Sequence, residues 1–395
     1  MSLLTHNSRL LSHIAAATTA AVLALGLYIA GDDFLDRLPL PVQLPSAATS
    51  TTTDNYLPNL GPDWGTQNVN IGRLANALSD GTLTVLGSSE LSSHDLRFVP
   101  YRFFPQELKM PTLAYGHAMF QSYGIFSVLE SISDSLTPNT RLVIMVSPAW
   151  FASGGQLPRS AFAEHISGPV WDRLWDKPAT RDQMQSWISN NANFGLLWLI
   201  ANGQASQLKD KLGLWWRTYG ERPADRPRSK LSVPAHRYVT WPSAGKLSTS
   251  GWDALTQEAR AAERALGGHN PYDVRDDYYE QFLKPLAAPA HNEFADVNPL
   301  TRTELGDLAR VMALLQRHKV RAYFVMQPFN PKLILDHDRF DPAVAAFKGM
   351  CSHYGMGCLD MYSMPFEPGV VRDDMHLAEL GWAIANRAIA EYFTR

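Results

Sequence analysis

Four short apolar runs separated by helical patterns most narrow what this chain can fold into. They are residues 82–86 (TLTVL), 141–146 (RLVIMV), 321–326 (RAYFVM) and 358–362 (CLDMY), with 112–115 a weaker fifth. None alternates apolar with polar residues, and each ends in turn-forming residues. Strands buried on both faces read this way, and such strands belong to parallel sheets. Between them, 305–318 (LGDLARVMALLQRH) and 377–393 (LAELGWAIANRAIAEYF) space apolar residues by three and four, the pattern of helices with one buried face. Strands alternating with helices predict an α/β, doubly wound parallel sheet whose sites lie at the carboxyl ends of its strands.

The N-terminus carries a different constraint. Residues 10–30 (LLSHIAAATTAAVLALGLYIA) form an apolar run long enough to cross a bilayer as a helix. Arg9 precedes it, and Asp32, Asp33 and Asp36 follow, which orients the N-terminus to the cytoplasm and the rest outside. The run exceeds a usual signal-peptide core, so an uncleaved anchor is preferred to a cleaved secretory signal; either exports the main body. Residues 38–59 are rich in Pro, Ser and Thr and read as a flexible tether. The expected organisation is a cytoplasmic tip and transmembrane signal anchor over 1–31, a tether over 32–62 and a folded body over 63–395.

Within that body, residues from about 155 to 300 hold Trp171, Trp175, Trp187, Trp198, Trp215 and Trp216 with few strand-like runs. They read as a mostly helical insertion. Its aromatics form a core, the commoner arrangement, or line an acyl or glycan groove. The net charge of -3 gives no basic field for nucleic acid. Two cysteines, Cys351 and Cys358, are too few for a zinc site. They either close a small loop in an oxidising compartment or stay as thiols.

Two local patterns carry chemistry. In 85–91 (VLGSSEL) a strand runs into Gly87, two serines and a helix start. A nucleophilic serine needs such a bend, with backbone N–H groups nearby for an oxyanion, although Gly-Ser-Ser also serves as a helix cap. After the last strand come Asp373, Asp374, Met375 and His376. An Asp three residues before a His can fix the imidazole tautomer while the other ring nitrogen faces a serine. Asp373 has that offset and Asp374 does not. In a parallel sheet both patterns fall at carboxyl ends of strands, so they can converge. Glu90 reads either as part of an acceptor site or as a first-turn residue favoured by the helix dipole. His337 between Asp336 and Asp338 is not taken as a metal site, because three neighbours in one loop rarely converge on an ion.

A Gly-x-Ser after the first strand paired with an Asp-x-x-His before the last helix resembles SGNH (GDSL-type) hydrolases. One branch is similar over most of the chain: the DltD family of teichoic-acid D-alanylation. The likeness rests on the N-terminal anchor, GSSEL at 87–91, SPAWF at 147–151, NPY at 270–272, QPFN at 327–330, Asp373-x-x-His376-Leu377 and Gly381-Trp382. It implies an SGNH-like fold over 63–395, with Ser89 as nucleophile, His376 as general base and Asp373 as its orienting carboxylate. It places the oxyanion at the Ser89 amide and that of Gly116. The Asn that SGNH enzymes usually add is replaced here by SPAWF; Gln121 and Trp150 are candidates for its part, and Asn330 for lining the substrate.

The resemblance further implies a serine acyltransferase of the cell envelope, its catalytic domain extracytoplasmic on a single-pass anchor. It would move an acyl group, by family expectation D-alanyl, onto teichoic acid or another surface polysaccharide. A polytopic membrane O-acyltransferase (DltB-like) would be its partner, and neither cofactor nor metal is called for. The same triad with water as acceptor would give an esterase or thioesterase. The remaining alternative is a non-catalytic scaffold or carrier-binding protein of an acylation complex.

Overall fold

Five strands form one wholly parallel sheet in the order β2-β1-β3-β4-β5: β1 Leu83–Gly87, β2 Thr112–Gly116, β3 Arg141–Val146, β4 Arg321–Met326 and β5 Gly357–Asp360. This computed structural model describes residues 67–92, 96–116, 120–151, 247–290 and 302–394, with Thr19 and a few positions between 170 and 182. Helices are α1 Gln67–Asp80, α2 Pro100–Leu108, α3 Ser122–Ser131, α4 Thr249–Leu266, α5 Arg302–Arg317, α6 Asp341–Tyr354 and α7 Glu379–Phe393.

The apolar runs lack alternation because both faces of the sheet are covered. Leu86, Leu142, Ile144 and Phe324 join one core with α1, α3, α5 and α6. Leu83, Val85, Val143 and Val325 join a second core with α2, α4 and α7, where Trp382 is wholly buried. Each such side chain contributes roughly 1.5–3 kcal/mol relative to exposure. Strands of four to six residues are held by that two-sided burial.

Some boundaries move. The first strand runs to Gly87 and the last begins at Gly357. The final helix starts at Glu379, because Leu377 pairs with Val371 in an antiparallel bridge. Of the predicted insertion, the described parts are α4, a helical turn Asp276–Tyr278 and a π-helical turn Tyr279–Leu283; its six tryptophans lie outside the described residues. Cys351 and Cys358 are disulfide-bonded, tying α6 to β5. Among the described residues no helix is long and apolar enough to cross a membrane. The predicted anchor over 10–30 lies outside them apart from Thr19.

One buried corner has acceptors without donors. Glu304 Oε1 accepts the Ser122 amide at 3.1 Å, while Gln121 Oε1, Ser122 Oγ and Asp307 Oδ2 are buried with no hydrogen-bond partner. Burial pushes Glu304 up to about 8, against the pull of the Ser122 amide and helped by the charge of Asp307. Burial likewise takes Asp307 up to about 7, against the pull of Arg310. Both carboxyls bind protons more tightly folded than unfolded, so their stabilisation is full below the ordinary carboxyl range and is lost as pH rises through 7 to 8. The unfolding temperature should therefore fall between pH 5 and 8.5. Glu304→Gln should flatten that fall, gaining about 2 kcal/mol at pH 8.5. Parallel wild-type and variant curves of Tm against pH would contradict this account.

Candidate active site

The strand order reverses beside β1: the chain passes from β1 out to β2, then returns to β3 on the other side. Crevices for ligands open at the carboxyl ends of strands at such a switch point. β1 ends there at Gly87, paired in register with Gly116 of β2. Glycine is required at Gly116, where the obstacle is backbone, while at Gly87 it is a side-chain tip. A Cβ on Gly116 would collide with the Gly87 carbonyl, and one on Gly87 with the Glu90 carboxylate. The chain then turns sharply into a 3-10 helix, Ser89–Ser92, which lifts Ser89 off the sheet edge.

His376 comes from a loop closed on itself. The Arg372 amide donates to the His376 carbonyl at 2.9 Å, and the Ala378 amide to Val370 at 2.9 Å. Asn330, wholly buried after β4, braces the turn: its amide N–H donates to Asp374 O at 2.8 Å and its Nδ2 to Tyr272 O at 2.9 Å. Glu379 at the start of α7 ties this loop to the segment that follows Ser89. Its carboxylate accepts the Arg97 and Phe98 amides, each at 2.8 Å, and its own amide donates to Glu263 at 2.9 Å. Glu263 in turn holds Arg275 in a buried ion pair at 2.7 Å.

These two segments bring together side chains 287 positions apart in the chain. Ser89 Oγ lies 2.7 Å from His376 Nε2. His376 Nδ1 lies 2.9 Å from Asp373 Oδ2, while Asp373 Oδ1 accepts the His376 amide at 2.7 Å and the Met375 amide at 3.0 Å. Asp373 is buried, whereas Ser89 and His376 are partly exposed. The anchoring end of the chain of contacts is closed and its serine end is open.

Charge follows this arrangement. Burial works to raise the Asp373 carboxyl, but hydrogen bonds from the His376 ring and the two amides hold it below its ordinary range. Burial alone would lower His376, yet the bond and charge of Asp373, with Glu90 and Asp374 adding, push it up to about 9. Asp374 rises to about 6 through burial and the Asp373 charge. Asp373, Asp374 and His376 come close enough to share a cation. Both ring nitrogens already face a partner, Ser89 on one side and Asp373 on the other.

Gly116 sits beside Gly87. Gln121 precedes α3, buried, with its Oε1 unpartnered. Trp150 is buried in the 3-10 turn after β3. Asn330 holds backbone rather than facing open space. Two residues had no role in the sequence reading: Gln327, buried at the end of β4, and Glu379. A polar residue just past an apolar strand was the available signal for Gln327. Glu379 sits at the start of a regular helix, where an acidic residue looks like a dipole partner and nothing more.

Comparison with known proteins places this geometry in a lineage. Residues 62–394 match the model of the family described as DltD protein. Protein DltD of Bacillus subtilis (strain 168) is 22% identical over 351 residues, covering 80% of this chain and 83% of that one. The family match spans the whole sheet, the serine bend and the histidine loop: the chain belongs to the DltD family.

Proposed function

We propose that this chain is a serine acyltransferase of SGNH type, acting in D-alanylation of teichoic acid or a similar envelope polymer. The observation that carries the reading is the continuous contact from Ser89 through His376 to Asp373 at the switch point of the sheet. The organisation proposed is a single-pass anchor over 1–31, a tether over 32–62 and an extracytoplasmic SGNH-like domain over 63–395. The Cys351–Cys358 disulfide supports an oxidising location. A polytopic membrane O-acyltransferase is the proposed partner, passing the acyl group across the bilayer.

In this mechanism Ser89 Oγ attacks the carbonyl carbon of an activated acyl donor and its proton passes to His376 Nε2. The Ser89 amide, with Gly116 beside it, holds the oxyanion. Collapse breaks the bond to the leaving group, which takes the proton from His376. An acceptor hydroxyl then gives its proton to His376 and attacks the acyl-serine; collapse returns the proton to Ser89 as the new ester leaves. Asp373 stays ionised and holds the ring.

Two measurements test this. Cells lacking the gene should lose ester-linked D-alanine from the envelope polymer and regain it with the wild-type chain; unchanged ester content in the deletion would rule the reading out. Labelling by a fluorophosphonate should rise with pH toward a plateau above about 9, because the imidazolium must lose its proton before it can accept one from Ser89. A rate independent of pH between 7 and 10 would exclude His376 as the base.

A further inference from the structure

Beside the proposed nucleophile lies a carboxyl group that the mechanism above leaves unused. Glu90 is 3% exposed. Its Oε1 accepts the Ser88 amide at 2.7 Å, and the same oxygen fills the space that a Cβ on Gly87 would need. Gln327, from the end of β4, lies against it, and its Nε2 is buried without a hydrogen-bond partner. The adjoining Ser89 carries its Oγ 2.7 Å from His376 Nε2, which sets the imidazole on the same side of the bend as this carboxyl.

A first-turn glutamate serving only the helix dipole would sit in solvent, and would need neither a buried site nor a glycine cut to its shape. Burying a carboxyl is costly unless it is hydrogen-bonded and faces a positive partner. Here the hydrogen bond goes to the residue just before Ser89, and the positive partner is protonated His376.

We propose that Glu90 is a positioning residue for the nucleophile: its carboxylate grips the Ser88 amide to fix the bend that presents Ser89, and sets a negative charge beside His376. The inference rests on the reading of Ser89 and His376 given above and adds a second carboxylate to the base. Asp373 orients the ring through Nδ1, while Glu90 acts from the β1 side. The charged and titratable groups facing His376 are then Asp373 and Asp374 from its own loop and Glu90 from the turn after β1. Those facing Glu90 are His376 and the polar Gln327. Burial prevails and holds the Glu90 carboxyl above its ordinary range, against the Ser88 and Glu90 amides and the charge of His376.

Glu90→Gln keeps an oxygen for the Ser88 amide and removes the charge; Glu90→Ala removes both. The full-length chain, labelled with ¹³C-histidine in detergent, reports His376 directly, its signal assigned by its absence in His376→Gln. The His376 titration midpoint should move down by about one pH unit or more in Glu90→Gln. The fluorophosphonate profile should move with it. In Glu90→Ala the plateau should fall about tenfold or more. A purely structural role would lower Tm and leave both midpoints in place. A Glu90→Gln midpoint equal to wild type overturns the electrostatic part, and an unchanged Glu90→Ala plateau overturns the positioning part. The His376 titration needs no activity, so an unlabelled wild type would sink the acyltransferase reading while Glu90 is still tested.

Discussion

Ser89→Ala should reduce fluorophosphonate labelling and D-alanyl ester formation by about 10⁴-fold or more, with the fold intact. The size follows from what is removed. Ser89 Oγ is the atom that His376 Nε2 faces at 2.7 Å, and alanine leaves the base with nothing to deprotonate. The hydroxyl is partly exposed and at the end of a tight turn, so its loss opens no cavity in the core. Near-normal Tm with no labelling is the expected pair of results. A scaffold protein would behave otherwise: Ser89→Ala would restore envelope D-alanine esters in a deletion strain. That restoration would remove the acyl-enzyme from the account.

Asp373→Asn should lower the labelling rate by about 10⁴-fold although it changes a single atom. Asp373 accepts on both oxygens: Oδ2 faces the imidazole Nδ1, and Oδ1 takes the His376 and Met375 amides. Asparagine has one acceptor oxygen. If that oxygen keeps the two amides, its NH₂ faces Nδ1 and drives the proton to Nε2, where the ring can no longer accept from Ser89. If the amide flips, the NH₂ meets two backbone N–H donors and the loop loses its brace. Either orientation disables the base. Asp374→Asn is the matched comparison. Asp374 contributes a small share of the charge on His376, and its side chain makes no bond to the ring. Its effect should stay within about tenfold. Equal losses in the two variants would show that charge alone, and not ring orientation, explains the dependence.

The parts of the fold legible in the chain are those buried on two sides. β3 and β4 appear as apolar runs with the same limits in sequence and structure. α5 shows itself through one apolar face. Four helices, α1, α2, α3 and α6, have no counterpart among those read from the sequence. α3 is buried almost all round, so it has no polar face to make a stripe. α2 carries Pro105 inside it, which reads as a breaker, and α6 has Pro342 in its first turn, directly after a 3-10 turn.

The site divides in the same way. Ser89, His376 and Asp373 could be named as candidates because a bend, a three-residue offset and strand ends are local patterns, and because together they resemble the SGNH arrangement. The structural parts of Asn330 and Glu379 could not, because each depends on a partner far along the chain. Glu379 caps the Arg97 and Phe98 amides from 282 and 281 positions away. The sequence by itself therefore determined the layering and the strand ends, through periodicity and spacing that short-range sterics impose, and offered Ser89, His376 and Asp373 as candidates. Only tertiary structure decided their distances, their charge states and the disulfide. Those depend on which distant groups share a buried volume, and in low dielectric a neighbour a few ångströms away outweighs everything adjacent in the chain.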